Sequence, residues 1–331
     1  MSTFLVTGGG GFVGAALCRA LQRQGHSVVA VARGSYPELE ATGIRFVKCD
    51  ISNDIKGLTA ACAGVSGVFH VASKVDSWGD RADFFSTNVV GTQNVISACR
   101  AAKVKHLVYT STPSVVECGR NLINGDETLP YPNKFDAYYP ETKAIAEKLV
   151  LESASNELRT VSLRPHLIWG PGDTHLVPMI IERARIGRLV KIGAGENLVD
   201  VTFIDDCVSA HILAMEALMS GRANVSGRAF FISQGEPVKL WDWVNSLLEM
   251  HGMQPITRSV NYTVAHAAAT LMELAAKVSG GRYKPLFTRF LIRQMAKSHY
   301  FSIGAARNAF GYSPQYSISK AYDTYRQAMA A

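Results

Sequence analysis

Tyr139 and Lys143, in the run Tyr139-Pro140-Glu141-Thr142-Lys143, are four residues apart, the spacing that places two side chains on one face of a helix. A phenol beside an ammonium, near the positive end of a helix, is drawn toward its phenolate form. Such a tyrosine can give a proton to a carbonyl oxygen or take one from an alcohol. The pair alone is common and gains meaning from a second pattern. Thr7-Gly8-Gly9-Gly10-Gly11-Phe12-Val13-Gly14 has glycines 8, 11 and 14 in the form G-x-x-G-x-x-G. Between a strand and a helix, such a loop brings backbone N–H groups against a pyrophosphate, where the helix dipole favours negative charge. Side chains at those glycines would block the approach. Gly8, Gly10, Gly11, Phe12, Val13 and Gly14 are the expected pyrophosphate-binding residues. A dinucleotide site beside a proton donor is the equipment for hydride transfer between a nicotinamide and a carbonyl or alcohol carbon.

The residues after the second strand choose between NAD and NADP. An acid there would bind the ribose 2′-hydroxyl and select NAD. Residues 28–35 carry no acid and do carry Arg33, which can pair with a 2′-phosphate, so NADP(H) is expected. The other reading of Arg33 is stacking on the adenine without a phosphate contact. Asp50 and Ile51, after the third strand, suit the adenine end of the cofactor, although Asp50 could equally cap the next helix. No metal site is expected, because Cys18, Cys49, Cys62, Cys99, Cys118 and Cys207 form no C-x-x-C pair.

These motifs need a parallel sheet to hold them. Short β-branched runs at 3–7, 27–31, 44–48, 67–70, 106–110 and 160–164 alternate with helical patterns at 12–24, 81–102 and 137–153. That alternation signals βαβ units. The expected fold class is α/β, a Rossmann-type doubly wound parallel sheet with a smaller, mostly helical C-terminal substrate subdomain. Residues 1–165 read as an NADP-binding domain and 166–331 as a substrate-binding subdomain with a basic, apolar C-terminal region. The boundary is soft, because Phe230-Phe-Ile-Ser233 reads as a late strand that returns to the sheet, before a helix at 241–250.

With 331 residues, 47% of them hydrophobic and 18% charged, the chain has material for a large core and does not have a disordered composition. Scattered cysteines fit a reducing cytoplasm, the expected location. The chain is in a strand-like run by Phe4 with no basic segment before it, so no secretory signal is expected. No run reaches the roughly 20 apolar residues of a membrane-spanning helix. The net charge of +7 is concentrated late: residues 251–331 hold ten Lys/Arg and two Asp/Glu, and six bases with no acid lie from Lys277 to Lys297. Two readings stay open. One is a surface for an anionic partner, such as a membrane, an acidic protein or a carboxylate substrate; the other is a solvated basic helix face. Nucleic acid is not expected, since no motif for it accompanies the charge.

Further stretches follow in order: Phe69-His-Val-Ala72, Asn88-Val-Val-Gly-Thr92, Tyr109-Thr-Ser-Thr112 and Arg164-Pro-His-Leu-Ile-Trp-Gly-Pro-Gly-Asp173. With them the chain resembles an extended short-chain dehydrogenase/reductase. Through Val90-Gly-Thr-Gln-Asn-Val95, Asn197-Leu-Val-Asp200 and Phe231-Ile-Ser-Gln-Gly-Glu-Pro237 it is similar to the 3β-hydroxysteroid dehydrogenase group, and within it to the bacterial reductases of 2-alkyl-3-oxoalkanoates in olefin biosynthesis. The resemblance implies NADPH-dependent reduction of a 2-alkyl-3-oxoalkanoate to the 2-alkyl-3-hydroxyalkanoate. It implies that Tyr139 is the acid, that Lys143 holds the nicotinamide ribose, and that Thr112 hydrogen-bonds the substrate carbonyl. Asn88 would support a proton relay near the lysine, Ala72 and Ser73 would line the cofactor, and Pro165 and Ile168 would pack by the nicotinamide. Ser111 is expected to face away from Thr112 by strand alternation.

A long-chain lipid substrate is implied, as is an assembly with a lactone synthetase and a decarboxylase that handle the same lipid. A homo-oligomer is expected. A two-tailed lipid needs an apolar channel, with Leu271, Met272, Leu274, Phe287, Phe290, Leu291, Ile292 and Met295 as candidate walls. Arg289, Arg293 and Lys297 form a basic stripe beside them, read either as an amphipathic lid in peripheral contact with a membrane or as ordinary packing with a solvated face. The alternatives are a 3β-hydroxysteroid or 4-carboxysterol dehydrogenase, a sugar-nucleotide epimerase, and a non-catalytic NADP-sensing or scaffold protein.

Overall fold

In the computed structural model, which describes residues 1–279 and 283–330, seven strands form one parallel sheet. They are β1 (Thr3–Thr7), β2 (Ser27–Ala32), β3 (Arg45–Lys48), β4 (Gly67–His70), β5 (His106–Thr110), β6 (Arg159–Pro165) and β7 (Arg228–Ile232). Their order in space is β7-β6-β5-β4-β1-β2-β3. Strand order therefore reverses at β1, where an α/β sheet opens its ligand crevice. Thr7 is registered with Val31 of β2 and His70 of β4, so the loop after β1 leaves the sheet level with both neighbours. The strands lie within a residue or two of the expected positions.

The helices that bear on the site are α1 (Phe12–Arg23), α2 (Arg81–Phe84), α3 (Gly91–Ala101), α4 (Tyr138–Glu152), α5 (Leu176–Arg185), α6 (Ile204–Met219), α7 (Leu240–Met250), α8 (Tyr262–Val278) and α9 (Arg289–Ala296). Both faces of the sheet are covered, which is why its strands are apolar throughout. On one face, Leu17, Cys18 and Leu21 of α1 share a core with Ala214 and Met215 of α6. On the other, Val95 and Cys99 of α3 and Ala146 and Val150 of α4 pack on Leu5, Val68 and Leu107. The segment 81–102, expected as a single helix, is continuous in path but not in winding: α2 and α3 are joined by a π-turn, Phe85–Val90.

The two halves of the chain exchange strands. β7 comes from the second half and pairs with β6 at the sheet edge. Leu122–Gly125, from the first half, pairs with His299–Phe301 in a second sheet that also holds Leu198–Val199 and Val238–Lys239. The C-terminal half is centred on buried Trp169, whose ring meets Phe203, Trp243, Tyr322 and Tyr325 at centroid distances of 5.4, 5.7, 5.5 and 5.7 Å. These tilted and edge contacts are the favoured geometry for aromatic pairs. Among the described residues no helix is long and apolar enough to cross a membrane. The six cysteines are free thiols.

Candidate active site

The loop after β1 begins at Gly8, with φ +69°, the left-handed region that glycine enters without strain. Its N–H donates to the Val31 carbonyl at 2.7 Å, which holds the turn against β2. A Cβ on Gly8 would lie 2.8 Å from Ala72 Cα, one on Gly14 would overlap the Gly8 carbonyl oxygen, and one on Gly10 would overlap the Tyr36 ring. Gly11 has more room and acts as the cap of α1. Because it caps without a side chain, the first-turn N–H groups of Phe12 and Val13 keep no side-chain partner. The shape suits a pyrophosphate. Gly14→Ala must push the Gly8 carbonyl outward, and dinucleotide affinity is expected to fall at least about tenfold, measured by fluorescence titration. Unchanged affinity would contradict this reading of the loop.

Arg33 is exposed after β2 and close enough to act on Asp50. Burial opposes ionisation of Asp50, but the N–H and hydroxyl of Ser52 and the charge of Arg33 together hold its carboxyl below the usual value. Ser52 donates to Asp50 Oδ1 from its N–H at 2.9 Å and its hydroxyl at 2.7 Å. Asp50 is not the cap of the next helix. Asp54 caps Ile55–Ala61, its side chain accepting from the Gly57 N–H at 2.8 Å. Ile51 is buried, and its carbonyl accepts from Asn94 of α3 at 2.8 Å. Tyr36, not anticipated, lies across Gly10 and Gly34. Only an aromatic following Arg33-Gly34-Ser35 hinted at it.

Tyr139 sits in the first turn of α4, and Lys143 follows one turn later, fully enclosed. The Lys143 ammonium donates to the Thr110 carbonyl at 2.6 Å and lies 4.2 Å from the Tyr109 ring centroid. Burial draws its pKa down to about 7, against the pull of Glu147. Tyr139 is not shifted toward phenolate as its sequence setting suggests. Burial of its hydroxyl pushes its pKa up to about 12; a hydrogen bond with Thr112 acts against that rise and the charge of Glu117 adds to it. The physical reason is that the hydroxyl is buried, so the phenolate would lose its hydration. A tyrosine in this state keeps its proton at neutral pH and can donate it.

Thr112 and Ser111 face opposite ways, as alternation requires. The Thr112 hydroxyl reaches Tyr139, while that of Ser111 faces Glu147. Thr112 Oγ1 accepts from the Ser114 N–H at 3.3 Å, which leaves its own proton for another acceptor. Asn88, buried in the π-turn, accepts from the Lys74 N–H at 2.7 Å and the Ser73 hydroxyl at 3.1 Å. Its amide donates to the Lys74 carbonyl at 3.1 Å and Thr142 Oγ1 at 3.0 Å. It thus ties the loop after β4 to α4, and none of these bonds is to Lys143. Ala72 donates its N–H to Thr7 Oγ1 at 3.2 Å, beside the glycine loop.

Sequence reading missed Glu147, one turn beyond Lys143 and wholly buried. Arg164 pairs with it through Nη2 at 2.7 Å and through Nε at 3.1–3.2 Å. Tyr131 and Ser162 each donate to it at 2.7 Å. The Arg164 guanidinium lies between the rings of Tyr131 and Phe231, at 5.7 and 5.0 Å. The signal was present: Tyr139, Lys143 and Glu147 continue one i, i+4 series.

On the substrate side, Pro165 ends β6 and Ile168 pairs with Thr202, with Leu167 between them at φ +39°. His166 and His299 share a hydrogen bond of 3.1 Å, and the Gln294 amide donates to Glu117. Glu117, His166 and His299 bring their polar atoms within 4.8 Å of one another. An apolar cleft with about 590 Å³ of empty space opens beside them, walled by Leu167, Leu176, Ile180, Trp241, Leu291 and Met295.

Two expectations are corrected here. Leu271 and Leu274 are not walls; they lie on the outer face of α8, 68% and 58% exposed. The stripe on α9 is not a free cationic face either. Arg289 pairs with buried Glu273 at 2.8 Å, Arg293 pairs with Asp136, and Ile292 and Met295 are buried. Both cations of α9 thus have acids within the protein, and its apolar side chains are docked inward.

The sequence model of the 3-beta hydroxysteroid dehydrogenase/isomerase family matches residues 5–261. The chain belongs to that family. The match takes in the glycine loop, Asn88, Thr112, Tyr139 and Lys143 and ends before α9. A family relative, the 2-alkyl-3-oxoalkanoate reductase of Stenotrophomonas maltophilia (strain K279a), is 44% identical over 329 residues, 99% of each chain. The decarboxylating sterol-4-alpha-carboxylate 3-dehydrogenase of Mus musculus is 35% identical over 323 residues, 96% of this chain and 88% of that one. The solved structure of MoeE5 in complex with UDP-glucose and NAD matches with a TM-score of 0.74 at 25% identity, covering 99% of this chain and 98% of that one. The chain is an oxidoreductase of the extended short-chain dehydrogenase/reductase type.

Proposed function

We propose that this protein reduces a 2-alkyl-3-oxoalkanoate to the 2-alkyl-3-hydroxyalkanoate with NADPH, and that Tyr139 supplies the proton. The observation that carries the reading is the buried Tyr139 hydroxyl set against Thr112, with burial favouring its protonated form; an apolar cleft lined by Leu167, Trp241 and His299 supplies room for an alkyl chain. The 44% identity to a reductase of that substrate supports it. A nicotinamide dinucleotide fits the glycine cradle, where added Cβ atoms would fill the space. Gly8, Gly10, Gly11, Phe12, Val13 and Gly14 would hold its pyrophosphate, and Arg33, Asp50 and Ile51 its adenosine end. Ala72, Ser73, Lys143, Pro165 and Ile168 would line the nicotinamide half. When bound, the cofactor supplies the hydride. The chain does the rest. Thr112 and Tyr139 both donate to the ketone oxygen, their dipoles placed where negative charge develops. Tyr139 then passes its proton to the alkoxide.

A second reading, oxidation of a 3β-hydroxysteroid or 4-carboxysterol with NAD, is favoured by the sterol relative and by the NAD of MoeE5. Absorbance assays of NADPH and NADH oxidation, with a long-chain 2-alkyl-3-oxoalkanoate and a 3-oxosteroid in parallel, discriminate the two. Fast reduction of the oxoalkanoate with NADPH is expected. Steroid turnover with NADH would replace the substrate and cofactor readings together. In the same assay Arg33→Ala is expected to raise the KM for NADPH about tenfold and that for NADH less than about twofold, the size of one lost charge-assisted hydrogen bond. Equal changes for both cofactors would remove Arg33 from 2′-phosphate recognition.

A further inference from the structure

The three cations of the α9 stripe have different fates. Arg289 and Arg293 are neutralised by Glu273 and Asp136. Lys297, just past the end of α9, has no acidic partner among the described residues; its ammonium rests 4.7 Å from the Tyr262 ring centroid. It is half-buried, so its charge is only partly served by water. It lines a second cleft with Glu117, Arg120, Phe290 and Pro140, the residue that follows Tyr139. Arg120 also has no acidic partner among the described residues and lies exposed on that cleft. The acids here do not answer Lys297: Asp136 is taken by Arg293, and Glu117 is held by Gln294, with burial pushing its carboxyl up.

This basic cleft and the apolar cleft share Gln294 and His299 as common lining. The two clefts therefore adjoin, one cationic and next to Pro140, the other apolar and walled by α5, α7 and α9. A cationic cleft adjoining an apolar one is complementary to an amphiphile with one negative charge. We propose that Lys297, assisted by Arg120, binds the carboxylate of the substrate while its alkyl chain enters the apolar cleft. This inference rests on the reading of the substrate as a 3-oxoacid. In a 3-oxoacid the carboxylate is two bonds from the ketone carbon, so a grip on the carboxylate beside Pro140 also sets the ketone against Tyr139. The same grip distinguishes an acid from a neutral ketone of equal length.

The test compares kcat/KM for a long-chain 2-alkyl-3-oxoalkanoate with that for its methyl ester, which has the same chain and no charge. The unaltered protein is expected to prefer the acid. Lys297→Met should lower the acid-to-ester ratio at least about tenfold, the scale of a lost hydrogen bond to a charged group. Lys297→Arg should keep most of the ratio, and Arg120→Gln should lower it less, with NADPH binding reporting that each variant is folded. An unchanged ratio in Lys297→Met and in Arg120→Gln, with NADPH binding intact, overturns the proposal. Turnover of neither acid nor ester by the unaltered protein would overturn the substrate reading itself, and this inference with it.

Discussion

Tyr139→Phe is expected to lower kcat by about a thousandfold, the middle of the range for losing a positioned general acid. The change removes one oxygen and keeps the ring, so α4 and its packing remain. Dinucleotide affinity should stay within about twofold, because the glycine cradle and Lys143 are untouched and a factor of two is under about 0.5 kcal/mol. Thr112 would still donate to the ketone oxygen, which gives the variant a small residual rate. Single-turnover absorbance at saturating cofactor measures the chemical step, and fluorescence titration measures binding. Near-normal turnover would remove Tyr139 from the mechanism and return attention to Glu117, the nearby acid whose charge it feels.

Glu147→Ala carries the largest expected effect on stability. Glu147 and Arg164 are 0% and 3% exposed, so removing the carboxylate leaves a guanidinium without its counter-charge in a dry site. Breaking one side of a buried pair costs about 3–5 kcal/mol, on the order of 4–7 °C in Tm for a chain of this size. Activity should also fall, since Glu147 is the charge that opposes the lowering of Lys143. The pH dependence has a definite sign. Burial alone would raise the Glu147 pKa, but Arg164 and Tyr131 outweigh it and hold it below the ordinary carboxylate value. A carboxylate of lowered folded pKa stabilises the protein above its unfolded value, about 4.3, and that contribution disappears as pH falls through the folded value. Melting curves of variant and parent should therefore converge below about pH 4 and separate above it. A constant gap across that window would show that packing, not charge, is what the substitution removed.

Local pattern made much of this legible. The strands of the main sheet are short β-branched runs with helices between them, and backbone sterics allow few other readings. The glycine loop was legible from its spacing alone, although only part of its crowding is local: the Gly8 carbonyl blocks Gly14, whereas Ala72 and Tyr36 crowd Gly8 and Gly10. Thr112 against Ser111 followed from strand alternation. What escaped was set by residues far apart in the chain. The Tyr139 pKa depends on Glu117 and on burial, and the Lys143 ammonium goes to Thr110, so a helix-face argument alone gave the wrong direction. The stripe on α9 looked free because its acids, Glu273 and Asp136, belong to α8 and to a loop 157 residues away from Arg293. The exchange of strands between the halves, with Leu122–Gly125 against His299–Phe301, has no local signature.

The π-turn at Phe85–Val90 bears on how this chain tolerates change in length. Each residue of a regular helix advances the rotation by about 100°, and a π-turn takes up one residue more than an α-turn. The inserted residue therefore works as a phase correction within the segment. From it Asn88 reaches back to Lys74 and across to Thr142, while Thr92, just beyond it, meets His70 at 2.9 Å. Deleting one residue from the turn would relax it to regular winding and improve the helix taken alone. It would also swing one of the two side chains away from its partner by about a quarter of a revolution. β4 with the segment after it and α4 are thus kept in angular step by a local imperfection, and a more regular helix here would break the tie between them.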